Sequence, residues 1–111
     1  MSRSLKDQLI EQALKAIKVA VKQKRVSFID REKNRDCLAE LGFVMSDVYS
    51  LIQKLSISNY HKGPEVDLNG SSGDVWVFLL PIQDLSCPLY LKLKLLVKGD
   101  LDFVVIISFH K

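Results

Sequence analysis

No apolar run in this chain approaches the ~20 residues that a membrane-spanning helix needs. The longest, Leu101 to Phe109, is strand-length and interrupted by charge. The N-terminus carries charge without an apolar core behind it, which argues against an export signal and for a cytoplasmic protein. Cysteine and histidine are scarce. Cys37 and Cys87 show no ligand spacing, and His61 and His110 lie far from both in sequence, which excludes a structural zinc site and leaves no cofactor to expect. Both thiols are expected to be small buried apolar groups in a reducing cytosol. Internal repeats and low-complexity segments are also missing.

What remains is an ordinary globular composition, 48% hydrophobic and 26% charged, over 111 residues. That length suits a single domain, which should bury over half its unfolded surface and so needs neither disulfide nor metal to fold. The net charge of +3 says little about partners, but its distribution is uneven. Residues 1–35 hold ten Lys/Arg against four Asp/Glu, residues 36–60 one against three, and residues 61–111 five against six. The basic surplus is N-terminal. It allows a footprint for a polyanion, and equally a solvated helix face with no partner.

Leu5, Leu9, Ile10, Ala13, Leu14, Ile17, Ala20 and Val21 recur at helical spacing, opposite Lys6, Glu11, Lys15, Lys18 and Lys22. Ser4 with Asp7 marks the start of this helix, and Lys22 and Lys24 suit its negative end. A short β-prone stretch covers Val26 to Ile29. A second helix is expected from Asp30 to Leu41, capped by Gly42, and a third from Ser46, burying Val48, Tyr49, Leu51, Ile52 and Leu55. The short Leu41-Gly42-Phe43 link predicts a helical hairpin.

From His61 to Gly73 the composition is that of a loop. Three strands follow, Asp74 to Leu80, Leu89 to Val97 and Asp102 to His110, joined by connectors short enough for antiparallel pairing. Helices followed by a strand meander predict an α+β fold, with the helices packed on one face of a small antiparallel sheet.

The middle strand sends Leu89, Leu91, Leu93, Leu95 and Val97 towards the helices. Tyr90, Lys92, Lys94 and Lys98 face the other way. Such a face suits phosphates and stacked bases, or it simply keeps a sheet wet. Trp76 and Phe78 are expected in the core. His110 ends the last strand, on the side of Ser108 and Ile106, while His61 and Lys62 open the loop. RNA can be cut without a metal when a base takes the 2′-hydroxyl proton, cations stabilise the phosphate and an acid protonates the leaving oxygen. Histidine serves either proton role, and lysine and tyrosine supply charge and hydrogen bonds.

Four segments now stand in order: Tyr60-His61-Lys62-Gly63-Pro64-Glu65-Val66-Asp67, Gly73-Asp74-Val75-Trp76-Val77-Phe78, Leu89-Tyr90-Leu91-Lys92-Leu93-Lys94-Leu95 and Ile107-Ser108-Phe109-His110. Together with Cys37-Leu38-Ala39-Glu40-Leu41-Gly42 they resemble the motility quorum-sensing regulator (MqsR) family of toxins over roughly residues 26 to 111, with residues 1–25 as an N-terminal helical extension. The resemblance implies a RelE-like, bacterial-ribonuclease-like α+β domain. It implies a type II toxin that cuts messenger RNA sequence-selectively without metal, inhibits translation and growth, and is neutralised by a cognate antitoxin. The ribosome is a candidate further partner and no membrane is involved. Carried over position by position, Lys62, Tyr90, Lys92 and His110 become the catalytic candidates; the basic strand face and the loop themselves add Lys94 and His61 as RNA-binding candidates. His110 stands where the best-known branch has lysine, and a glutamine functional in that branch is missing near Gly73. Two rivals use the same residues: a non-catalytic RNA-binding or regulatory module, and a protein-interaction domain whose lysines serve only solubility.

Overall fold

A computed structural model describes residues 4–67, 72–83 and 85–111. Residues 68–71 of the expected loop, and Asp84 of the connector after the first of the three expected strands, lie outside the described residues. Helix α1 spans Leu5–Lys22, opened by Ser4, whose hydroxyl accepts the Asp7 N–H at 3.0 Å. Its apolar stripe buries Ile10, Ala13, Leu14, Ile17, Ala20 and Val21. Leu5 and Leu9, at the start of the same stripe, stay exposed. Strand β1, Val26–Phe28, leads into α2, Glu32–Leu41, which Gly42 closes in the left-handed conformation at φ 68°. There the Gly42 and Phe43 N–H groups bond back to the Ala39 and Leu38 carbonyls. Helix α3, Met45–Gln53, begins where the Asp47 carboxylate accepts the Val44 N–H at 2.8 Å. The expected hairpin of α2 and α3 does not form as a packed pair. Helix α2 lies on the last strand and α3 on α1, because Phe43 after the cap turns inward against Phe109.

The sheet is larger than the pattern suggested. Residues Tyr60–Val66 form strand β2 rather than a loop, followed by β3 (Asp74–Leu80), β4 (Leu89–Lys98) and β5 (Leu101–His110). The strand order is β1-β5-β4-β3-β2, with β1 parallel to β5 and every other pair antiparallel. The sheet is therefore mixed, and the α+β class stands. Strand β2 escaped notice because its glycine and proline sit at register breaks on an edge, where a sheet tolerates them. Leu89, Leu91 and Leu93 of β4 are fully buried with Trp76, Phe78, Ile106 and Phe109 under the helices. Val97 runs past the helices and is exposed.

Strand β5 breaks the simple alternation. Lys92 pairs with Ser108 while Leu93 pairs with Ile106, so Ile107 is an extra residue in a β-bulge. Ile106 consequently belongs to the core, not to the side of Ser108 and His110, and Ile107 takes its place on the open face. The bulge is held from beneath by Asn34 of α2, a fully buried side chain. Its amide donates to the Ile29 and Ile107 carbonyls and accepts the Phe109 N–H, each at 3.0 Å. The bulge takes these β5 groups off the strand ladder, and one side chain satisfies them.

Candidate functional site

The sheet face away from the helices forms an open groove of about 980 Å³. Its lining includes Arg31, Lys62, Lys92 and Lys94 against Glu65 and Asp67, four cations to two carboxylates. Apolar side chains, among them Val75, Val105 and Ile107, fill the floor between them. Each strand delivers its residue for a local reason. Lys62 pairs with Val77 while Tyr60 pairs with Phe78, so His61 is the extra residue of a bulge and Lys62 turns onto the open face. Gly63 follows at φ 128°, where a Cβ would meet the Val75 carbonyl oxygen at 2.7 Å. Only glycine lets β2 approach β3 this closely. The Tyr60 hydroxyl fixes the bend by donating to the Gly63 carbonyl at 2.6 Å.

Of the expected site residues, the fold brings four into one neighbourhood. Lys62 and Lys92 line the groove. Tyr90 and His110 are cross-strand partners one step of the alternation beyond the Lys92–Ser108 pair, roughly 7 Å along the strand. Their rings stack, with centroids 5.3 Å apart and planes 17° apart. His110 Nδ1 lies 3.0 Å from the Lys111 carbonyl oxygen. A carbonyl oxygen only accepts, so Nδ1 carries the hydrogen in this contact and Nε2 of the neutral ring keeps its lone pair.

The other two candidates stand apart. His61 is exposed on the edge strand and does not line the groove. Lys94 does line it, but its ammonium is drawn down to Asp67 at 2.8 Å and the residue is only 6% exposed. Gly73 makes room for this pair, because a Cβ there would lie 2.9 Å from Lys94 Cε. The φ of 115° at Gly73 and the Leu95 carbonyl oxygen, 3.0 Å from where a Cβ would stand, also favour glycine at this position.

Sequence reasoning missed Arg31. Its guanidinium reaches the Ile107 carbonyl and the Ser108 hydroxyl, both at 3.3 Å, from the turn between β1 and α2. The signal was the β-prone stretch before it. Once β1 is known to run parallel to β5, the residue after its end must lie beside the end of β5. Near the C-terminus, Lys111 is ion-paired with Glu40, which pushes its ammonium pKa up. Burial, with Glu40 adding to it, pushes the Cys37 thiol up. Hydrogen bonding to Asp30 does the same for the Arg35 guanidinium. Cys37 is buried as expected. Cys87 is not: it sits exposed in the β3–β4 connection, outside the packed layers. Trp76 and Phe78 are core residues.

Fold and groove together describe a small α+β domain that presents a cation-lined, uncovered sheet face. The family model described as "Motility quorum-sensing regulator, toxin of MqsA" matches residues 11–111, and the chain belongs to that family. It is thereby a toxin of a toxin–antitoxin system, with an antitoxin as its partner. The match extends further towards the N-terminus than the motifs did and takes in most of α1, whose buried stripe shares the common core. No curated protein and no solved structure matches the chain. No helix among the described residues is long and apolar enough to cross a membrane.

Proposed function

We propose that this toxin is a metal-independent, sequence-selective endoribonuclease. It cuts messenger RNA in the cytoplasm in the manner of RelE-like mRNA interferases, inhibiting translation and growth until its antitoxin neutralises it. One observation carries the reading: Lys62 and Lys92 line a groove on the sheet face, and the stacked Tyr90–His110 pair lies on the same face one alternation step beyond Lys92 along β4 and β5, next to the groove rather than in its lining. The lysines neutralise the scissile phosphate. Nε2 of His110 takes the 2′-hydroxyl proton or, in the charged ring, returns one to the leaving 5′-oxygen. Tyr90 holds the imidazole by stacking and offers its hydroxyl to the RNA. Lys94, tied to Asp67, shapes the groove instead of contacting the backbone, and His61 lies at its edge strand as an outer contact.

Among the described residues no three His, Cys, Asp or Glu side chains gather as a metal-binding group, and lysine supplies the positive charge in this scheme. Purified full-length chain incubated with a long messenger transcript in EDTA is expected to give fragments ending in 2′,3′-cyclic phosphate. Induced expression is expected to arrest growth, relieved by the antitoxin. Cleavage abolished by EDTA and restored by magnesium would overturn the mechanism. Salt-sensitive RNA binding without any cleavage would point to the non-catalytic module instead.

A further inference from the structure

The groove cations differ in what already holds them. Lys94 is bound by Asp67 at 2.8 Å, and Lys62 has Glu65 at 3.9 Å. Arg31 stands between two acids in the chain, Asp30 and Glu32, yet among the described residues no carboxylate forms an ion pair with it. Asp30 is instead taken by Arg35, at 2.6 Å. Lys92 likewise has no ion-pair partner among the described residues. Among the described residues, two positive charges in one groove are thus without an ion-pair partner.

They are also neighbours. Arg31 holds the Ser108 hydroxyl, and Ser108 is the direct cross-strand partner of Lys92. The anchor is built into the fold: the β5 bulge turns the Ile107 carbonyl out of the ladder, and buried Asn34 holds the bulge in place while Arg31 caps the same carbonyl from the groove side. A bulge of this kind re-aims groups beside a site. A guanidinium pinned through one nitrogen keeps its other donors in a fixed plane, stays charged at any working pH, and matches two phosphate oxygens at once.

We propose that Arg31 is a further catalytic residue, binding the non-bridging oxygens of the scissile phosphate beside Lys92; this assignment rests on the ribonuclease reading. In the step it serves, the 2′-oxygen bonds to phosphorus and the bond from phosphorus to the 5′-oxygen breaks. The 2′-hydroxyl proton passes to the base, and the 5′-oxygen receives a proton from the acid. Arg31 exchanges no proton. It holds the negative charge that gathers on the non-bridging oxygens as the fifth bond forms.

The test uses purified full-length wild type, Arg31→Ala and Arg31→Lys on one transcript, with kcat, KM and melting temperature measured for each. Arg31→Ala is expected to lower kcat by about 100-fold or more, as loss of one preorganised transition-state donor does, with melting temperature nearly unchanged. Arg31→Lys, which keeps the charge and loses the fork, is expected to fall between. Should Arg31→Ala prove unstable, the Arg31→Lys value of kcat decides: wild-type kcat overturns the assignment. A raised KM with unchanged kcat in either variant also overturns it, since the arginine would then hold the RNA away from the reacting phosphate. Wild-type cleavage together with full activity in Arg31→Ala sinks this assignment alone. A wild type that binds RNA and never cuts it sinks the ribonuclease reading and the assignment with it.

Discussion

On the helix side of β4, Leu89, Leu91 and Leu93 are sealed beneath α1 and its neighbours. On the other side, Tyr90 and Lys92 remain partly open to solvent at and beside a groove, and Lys94 turns down into a buried ion pair. The residues alternate one by one along a single strand, yet the two faces answer to different demands. Side chains on the first face are chosen by volume and by the absence of polar atoms, and losing one opens a cavity. Side chains on the second are chosen by charge and reach. Lys94 is the instructive exception, because it shares the open face by position and the interior by environment. Position in the alternation gives direction only; partners decide what a side chain does.

The largest expected effect separates the faces by what is measured. His110→Ala should slow RNA cleavage by roughly 100- to 10,000-fold, the usual worth of a general acid or base. Its melting temperature should hardly move, since the ring is partly exposed at the end of the sheet, stacked on Tyr90. Near-normal cleavage would remove the histidine from the chemistry and leave the cations of the groove. Lys94→Ala should do the reverse. Removing one side of this largely buried ion pair should cost on the order of 3 kcal/mol, and denaturant titration should detect it readily. A Lys94→Ala protein of wild-type stability and much weaker RNA binding would mean that the lysine faces the substrate after all.

A smaller loss is expected beneath the bulge. Asn34→Ala takes away the side-chain acceptor of the Phe109 N–H and one of the two donors to the Ile107 carbonyl, for about 1 to 3 kcal/mol of stability. It should also lower activity, because the anchor of Ser108 and Arg31 loosens. Stability unchanged in this variant would show that solvent satisfies those groups. Smaller again in free energy is Lys92→Ala, which should slow cleavage and lower the slope of RNA affinity against salt by about one unit, as loss of one phosphate contact requires. An unaltered slope would show that Lys92 touches no phosphate.

The legible parts of the molecule were those governed by periodicity. The stripe of α1, the cap at Gly42 and the alternation of β4 follow from spacing alone, because each is a local rule. Candidate site residues on regular strand positions, Tyr90 and Lys92, were legible for the same reason. The illegible parts depend on partners distant in sequence. Whether Val26–Phe28 is a sheet edge depends on β5, some eighty residues away. The bulge at Ile107 has no sequence mark and is set by Asn34 and by the register with β4. Arg31 inherits its place from both, so the β-prone stretch before it points to it only once the pairing with β5 is known. The burial of Lys94 likewise depends on Asp67 and on the space left by Gly73.

The smallest effect tests where the core ends. Periodicity assigns Leu5 to the same apolar stripe as Leu14, yet Leu14 is 5% exposed and Leu5 is 79% exposed. The family match, beginning at residue 11, also leaves Leu5 outside. A leucine already in water gives up little when it becomes serine, and serine is well tolerated in a first helical turn. Leu5→Ser should therefore change stability by no more than about 0.5 kcal/mol, as exposed positions do. Leu14→Ala should cost about 2 to 5 kcal/mol, the price of a cavity. At this chain length each kcal/mol moves the melting temperature by roughly 4 °C, so thermal unfolding of the two variants side by side resolves the contrast. Comparable losses would mean that the first turn of α1 is covered in solution and that the stripe is buried along its whole length.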